Sequence, residues 1–292
     1  MMVEVILQLT ISAVLTGIIY ALMAIGLNLI FGVVRIINFA HGEFLMLAMY
    51  VTYWVFRWFG LDPYLSILIS VPLFFFIGIL IHQGVLRHLL DGPEESQVIA
   101  TFGLALALRH GAALVWSTDH RSAKSAVADK ILNIGFITLD YPHLIGAILS
   151  GMLIAALFIF LYYTYLGRAI RAIADQRTAA FTAGINVGRI YYIAIGLGLA
   201  CVAFCGAFII PFESVFPTIG RNFTLLCFVI VVLGGMGNLW GCLLGGIIIA
   251  LIEMMVGFFL APVLTTFAYF VLFLIIVSVR PAGLLGTKGR MI

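Results

Sequence analysis

The sequence predicts an all-α polytopic membrane protein, a single transmembrane domain over residues 1–292 with about nine helices, some broken or re-entrant, and a possible inverted repeat. Three observations predict it. Hydrophobic residues make up 64% of the 292 positions and charged residues only 9%, with a mean hydropathy of +1.23, so there is too little polar surface to cover a water-soluble globule. The apolar runs continue for about 20 residues, the length of a helix that crosses the hydrocarbon core, whereas barrel strands alternate in segments of about ten. Where the runs are interrupted, Gly and polar side chains arrive together, as in helices broken at membrane depth.

The chain begins MMVEVILQLTISAVLTGIIYALMAIGL, with no basic leader, with Glu4, and with more apolar length than a signal-peptide core, which reads as a retained first helix near 5–33. Further spans fall near 37–57, 64–87, 96–117, 143–165, 189–213, 222–236, 240–260 and 263–280. The first four and last four then run in opposite directions, as an inverted repeat requires, although the halves share no evident sequence match.

Between the first two spans, Arg35–Leu45 reads RIINFAHGEFL. Non-helical backbone at membrane depth survives only when buried in protein or lining a wet cavity, so Asn38, His41, Gly42 and Glu43 are candidates for a substrate pathway or gate. His41 and Glu43, two apart, occupy different helix faces unless the helix is broken at Gly42. HGE lacks the paired His of a zinc protease helix, and no metal site is expected. Glu43 either pairs with Arg35 or with a cation on another helix, pinning the bundle, or takes part in gating or substrate contact.

Within the fourth span, Arg109, with His110 beside it, is an intramembrane charge costing about 2.5–3.5 kcal/mol on insertion scales, so it either carries function or snorkels to the outer interface. The stretch 118–142 mixes charge signs and ends at Pro142, which suits a short ordered cover on the outer face, or simply a solvated loop. A second interruption, LGGMGNLWG, offers Gly234, Gly235, Gly237 and Asn238 as pathway elements. The alternative is a tight turn followed by a Gly packing face at Gly241, Gly245 and Gly246. Glu253, in GGIIIALIEMMVGFFL, is either an interhelical hydrogen-bond partner or functional. Cys201, Cys205, Cys227 and Cys242 lie in apolar runs without CxxC spacing and read as small core residues.

The most specific text is Leu166–Asn186, LGRAIRAIADQRTAAFTAGIN. Its Ala-rich body is helical by propensity and basic at Arg168, Arg171 and Arg177, and Gly184 ends it. Such a helix between spans lies on the inner leaflet or docks on a soluble partner. If this loop is cytoplasmic, its side also collects Arg35, Arg87, Arg189, Arg280, Lys288 and Arg290, against Arg57, Arg121, Lys124, Lys130 and Arg221 opposite, which favours an outer N-terminus and a cytoplasmic C-terminus.

Thr178-Ala179-Ala180-x-x-x-Gly184 resembles the EAA-x3-G loop by which permeases of ABC importers engage their ATPases, with Thr178 in place of Glu and without the Ile-x-Leu-Pro tail of other importer families. Together with INFAHGE, GRAIRAIADQ, TAGIN, VLGGMGN and the ending Arg280–Gly286, RPAGLLG, the chain closely resembles the branched-chain amino acid permeases, the LivH/LivM family, over roughly residues 10–286. The resemblance implies a bacterial inner-membrane subunit that forms the path for Leu, Ile and Val. It also implies a second, LivM-like permease, two cytoplasmic ATPases (LivG- and LivF-like) and a periplasmic binding protein. In this picture a coupling helix near 168–184 carries Arg168, Arg171, Asp175, Thr178, Ala179, Ala180 and Gly184 to the ATPases. Importers of urea, short amides or other amino acids share these motifs.

No G-x4-GK[ST] phosphate loop occurs, so the chain is expected to be no enzyme and to hold no cofactor, with ATP and Mg bound by the partner ATPases. A net charge of +3 gives no reason to expect nucleic acid. A self-contained channel or carrier would call for charge rings or ion-coupled carboxylates, and an intramembrane enzyme for a nucleophile–base or metal constellation; neither pattern is found.

Overall fold

A computed structural model describes residues 2–90, 92–135 and 137–286, so Lys288 and Arg290 of the charge count lie outside the described residues. The long apolar runs form helices because lipid offers the backbone no hydrogen-bond partner. In chain order the helices are α1 (Met2–Val34), α2 (His41–Phe59), α3 (Ile67–Gly84), α4 (Glu94–Trp116), α5 (Tyr141–Tyr163), α6 (Tyr165–Asp175), α7 (Arg177–Thr182), α8 (Val187–Ile209), α9 (Ile219–Gly234), α10 (Leu239–Phe259) and α11 (Thr265–Val279).

Seven of these are long and apolar enough to cross a membrane: α1, α3 with its leading turn from Pro63, α4, α5, α8, α10, and α11 with its leading turn from Pro262. Of the nine expected crossings, α2 and α9 are not among these seven. α9 has 16 residues, about 24 Å at 1.5 Å each, short of a ~30 Å core. α2 opens inside the protein on buried His41 and Glu43.

The expected cover over 118–142 contains an antiparallel hairpin, β1 (Ile131–Ile134) with β2 (Ile137–Asp140), in register Ile131 to Asp140. Asp62 ties the approach to this hairpin down, accepting from Ser125 Oγ at 2.7 Å and Ala126 N at 2.9 Å. The start of α1 joins the same face, where Thr138 N donates to Gln8 Oε1 at 2.9 Å.

The packing pairs helices from the two ends of the chain. α1 lies along α10, α8 lies along α3, and α1 and α8 cross each other. At that crossing Gly26 and Gly198 meet so closely that a Cβ on either would come to 2.7 Å from the other's carbonyl oxygen. After α1 the chain turns back as the non-helical stretch 35–40 and restarts as α2; after α8 it turns back through 210–218 and restarts as α9. The starts of α2 and α9 meet in the interior, Gly42 against Gly220. The core is concentrated where α1, α2, α8 and α9 converge, with Leu22, Met23, Phe44, Tyr50 and Phe208 sealed from solvent. The outer helices present large apolar side chains outward, such as Leu114 and Val263, as a lipid-facing surface does.

Candidate functional site: a buried helix break and the cavity beside it

The break in the first polar stretch lies before His41, and α2 is continuous through Gly42. Arg35 starts it with φ of 60°, a left-handed backbone that an L-residue adopts only at a cost of about 1–3 kcal/mol. Asn38 then closes a local turn, its Oδ1 accepting from Ala40 N at 3.0 Å. His41 reaches α1, its Nε2 donating to Met23 O at 3.1 Å, while Nδ1 has no partner among the described residues. Met23 sits roughly 16 Å along α1 from its end at Val34. The restart is therefore deep, and the backbone there is satisfied by protein, as membrane depth demands.

Side chains that sequence reasoning passed over supply that satisfaction. Thr224 Oγ1 accepts from Gly42 N and donates to Gly220 O, both at 3.0 Å. Thr101 Oγ1 donates to Ile37 O at 3.0 Å. Asn28, buried in α1, accepts from Gly237 N at 2.7 Å. Each is a lone polar residue within an apolar run, and that was the available signal.

Glu43 is fully buried and pairs with Arg109 of α4, whose Nε donates to Oε1 at 3.0 Å and whose terminal nitrogen also bonds it. Arg109 therefore turns inward, against the snorkelling expectation, and Arg35 is not the partner. Inward pairing wins because it satisfies two charges that lipid would leave desolvated. A Cβ on Gly220 would strike the Glu43 carboxylate, which places that carboxylate against the first turn of α9 as well as in the first turn of α2. Two positive helix ends thus share one anion. Glu253 faces the Tyr20 hydroxyl of α1, an interhelical contact.

The second interruption is a turn between α9 and α10. Gly234 packs on Gly241, Gly245 on Ile230, and Gly246 on Gly17 and Ala21. Gly235 and Gly237 take φ of 103° and 83°, backbone that favours glycine. Asn238 caps α10, accepting from Gly241 N at 3.1 Å, and donates to Leu285 O at 2.7 Å. Leu284 N and Leu285 N donate to the Leu233 and Gly234 carbonyls at 2.8 and 3.2 Å, so the RPAGLLG ending docks on LGGMGN.

Both interruptions border one cavity of about 380 Å³, reached by Arg35 and Ile37 from the first and by Met236 and Gly237 from the second. Glu94 and Gln97 of α4, Ala174 of α6 and the 281–286 segment complete it.

The helix expected near 168–184 is two helices. Gln176, with φ −152° and ψ 102°, is extended and separates α6 from α7. Thr164 caps α6, accepting from Gly167 N at 3.0 Å, and Gly184, φ 80°, follows α7. α6 buries Ala169, Ile170 and Ile173. Arg171 also turns to the scaffold, donating to Leu161 O at 2.9 Å with its guanidinium 4.2 Å from the Tyr162 ring centre. Ala180 is buried, whereas Arg168, Asp175, Thr178, Ala179 and Gly184 are exposed, and Phe181 is 70% exposed between them.

Residues 9–279 match the family described as branched-chain amino acid transport system / permease component. The chain belongs to this family. Among curated relatives, the permease is 26% identical to the high-affinity branched-chain amino acid transport system permease protein LivH of Escherichia coli strain K12, over 96% of this chain and 95% of that one. It is 24% identical to BraD of Pseudomonas aeruginosa over the same shares, and 26% identical to a probable LivH of Methanocaldococcus jannaschii over 87% and 82%. Among solved structures, PsaBC from Streptococcus pneumoniae in complex with Fab superposes with a TM-score of 0.52 at 16% identity, covering 90% of this permease and 89% of that chain. That likeness concerns the fold alone. The permease is a multi-pass membrane protein.

Proposed function

We propose that this permease is one membrane subunit of an importer for branched-chain amino acids, working beside a second, LivM-like permease. Two cytoplasmic ATPases, LivG- and LivF-like, bind the ATP and Mg and supply the energy, and a periplasmic binding protein delivers Leu, Ile or Val. The subunit sits in the bacterial inner membrane with its N-terminus periplasmic and its C-terminus cytoplasmic. The observation that carries this reading is family membership across residues 9–279, supported by an exposed α7 that carries the Thr178-Ala179-Ala180 motif resembling an importer's ATPase loop.

In this reading Phe181, with Thr178, Ala179 and Gly184 around it, seats in a groove of an ATPase, and Arg168 and Asp175 flank the contact. Buried Ala180 and inward-turned Arg171 pass the push from α7 to α6 and α5. From α6 it reaches the cavity wall at Ala174 and the turn holding Gly234, Gly235, Gly237 and Asn238. Asn38, His41, Gly42 and Glu43 act as a gate, since one hydrogen bond or ion pair from each holds the re-entrant segment in place. Alternation follows because a ligand-loaded binding protein and ATP each prefer one permease state.

The test is leucine uptake and ATP hydrolysis in proteoliposomes of the assembled complex, with and without binding protein, for the native chain and for Ala179→Glu or Gly184→Pro. Loss of both stimulated ATPase and uptake in a complex that still assembles is expected. Uptake that continues without ATP or the ATPases overturns the reading in favour of a channel or carrier.

A further inference from the structure

The cavity beside the re-entrant segment has a chemistry that the gate does not use. Phe31, Ile37, Val232 and Met236 give it apolar wall, while Arg35 and Glu94 bring one cation and one anion to its mouth. Both are exposed, and among the described residues neither side chain makes a hydrogen bond or ion pair. Arg35 is held there by a left-handed backbone that a glycine would adopt without strain. A volume of about 380 Å³ falls among small-molecule sites, which run to roughly 300–1,000 Å³ and combine apolar walls with a few placed polar groups.

We propose that this cavity is a site for a zwitterionic α-amino acid with an apolar side chain, its carboxylate on Arg35, its ammonium on Glu94 and its side chain against Phe31, Ile37, Val232 and Met236. The amino-acid class rests on the importer reading, whereas the opposed charges and the apolar wall are properties of this chain alone. Ala174 of α6 lies in its wall, so with α6 and α7 on the cytoplasmic side, as the importer reading has them, its occupant is amino acid on the product side. Ala174 of α6 forms part of the wall, and an occupant lodged between α6 and the 281–286 segment restrains the motion of α6. Accumulated product thereby slows ATP hydrolysis.

The experiment uses the assembled complex in nanodiscs without binding protein and titrates it with leucine, with 4-methylpentanoate, which lacks the ammonium, and with 3-methylbutylamine, which lacks the carboxylate. Leucine is expected to bind saturably and each half-analogue at least tenfold more weakly. Arg35→Gln weakens leucine and 4-methylpentanoate and spares the amine; Glu94→Gln weakens leucine and the amine and spares the acid. Both residues are exposed, so both variants fold, and ATPase inhibition by leucine disappears with them. Absence of saturable leucine binding, or binding indifferent to both substitutions, overturns the site. Uptake driven by binding protein in the same preparation separates the two readings: uptake without this binding sinks the site and leaves the importer standing, while binding without ATP-driven uptake does the reverse.

Discussion

Removing one partner of the Glu43–Arg109 pair should have very unequal effects depending on which partner goes. Glu43 has no exposed surface, lies at the deep start of α2, and is walled by Gly220, so its carboxylate has nowhere to go. Arg109→Leu leaves that anion buried and unpaired, for which losses of about 3–5 kcal/mol are typical. The Arg109 side chain is 17% exposed already, and it lies seven residues, about 10 Å along the helix, from the end of α4 at Trp116. On Glu43→Gln the guanidinium keeps an amide oxygen to bond and can also extend toward the interface, so the loss falls to about 1–2 kcal/mol. Glu43→Leu with Arg109→Leu removes both charges and should recover most of the Arg109→Leu loss. At about 2–4 °C per kcal/mol for a chain of this size, Arg109→Leu lowers the melting midpoint in nanodiscs by roughly 6–20 °C and Glu43→Gln by roughly 2–8 °C. Equal losses from the two single variants, or a double variant as unstable as the sum of the singles, would refute the pairing argument.

Three further outcomes follow from the same packing. Gly42→Ala forces a Cβ to 2.5 Å from Thr224 N and still closer to the Gly220 carbonyl, so it should cost about 3 kcal/mol or more and separate α2 from α9, read as raised hydrogen exchange at 41–45 and 219–224. Asn238→Ala removes the α10 cap and the bond to Leu285 together, a loss of about 1–2 kcal/mol, and should make 281–286 the first site of limited proteolysis. Glu213, in the loop between α8 and α9, keeps exposed surface, yet desolvation lifts its carboxyl above the usual carboxylate range, with the His120 charge opposing. An acid raised in the folded state contributes most stability below its unfolded value and loses that contribution as pH rises through the folded one, so Glu213→Gln should flatten the fall in stability from acid to neutral pH, measured by thermal melts across that window.

The bundle was legible because apolar length is a one-dimensional signal, and all nine expected spans do lie on helices. What composition could not reveal is how deep a helix begins. The run over 37–57 has ordinary hydropathy, and it is the contacts of His41 with Met23 and of Gly42 with Gly220 and Thr224 that show α2 starting in the interior. The same limit hid the partner of Glu43, since Arg109 lies 66 positions away and no periodicity links them. The α6–α7 break was hidden for a different reason: Gln176 is an ordinary helix residue, so propensity gives no sign of the extended backbone it adopts. The polar interruptions both border the cavity, and their glycines also serve close approach, as Gly234 does against Gly241.

The deep meeting of α2 and α9 bears on where an amino-acid substrate finds its charge partners. In transporters with broken helices, the positive ends of half-helices face the substrate carboxylate. Here both such ends are already faced by Glu43, the Gly42–Gly220 contact leaves no room for another group, and Arg109 completes the neutralisation. A substrate carboxylate brought there would displace a buried anion of the protein itself, with Glu43 then unpaired at a cost of the order given above. The two helix starts are therefore used to hold α2 and α9 together. Recognition of a carboxylate falls instead to a cation with no partner among the described residues, and Arg35, turned out of the re-entrant segment by its left-handed backbone, is such a cation bordering a cavity.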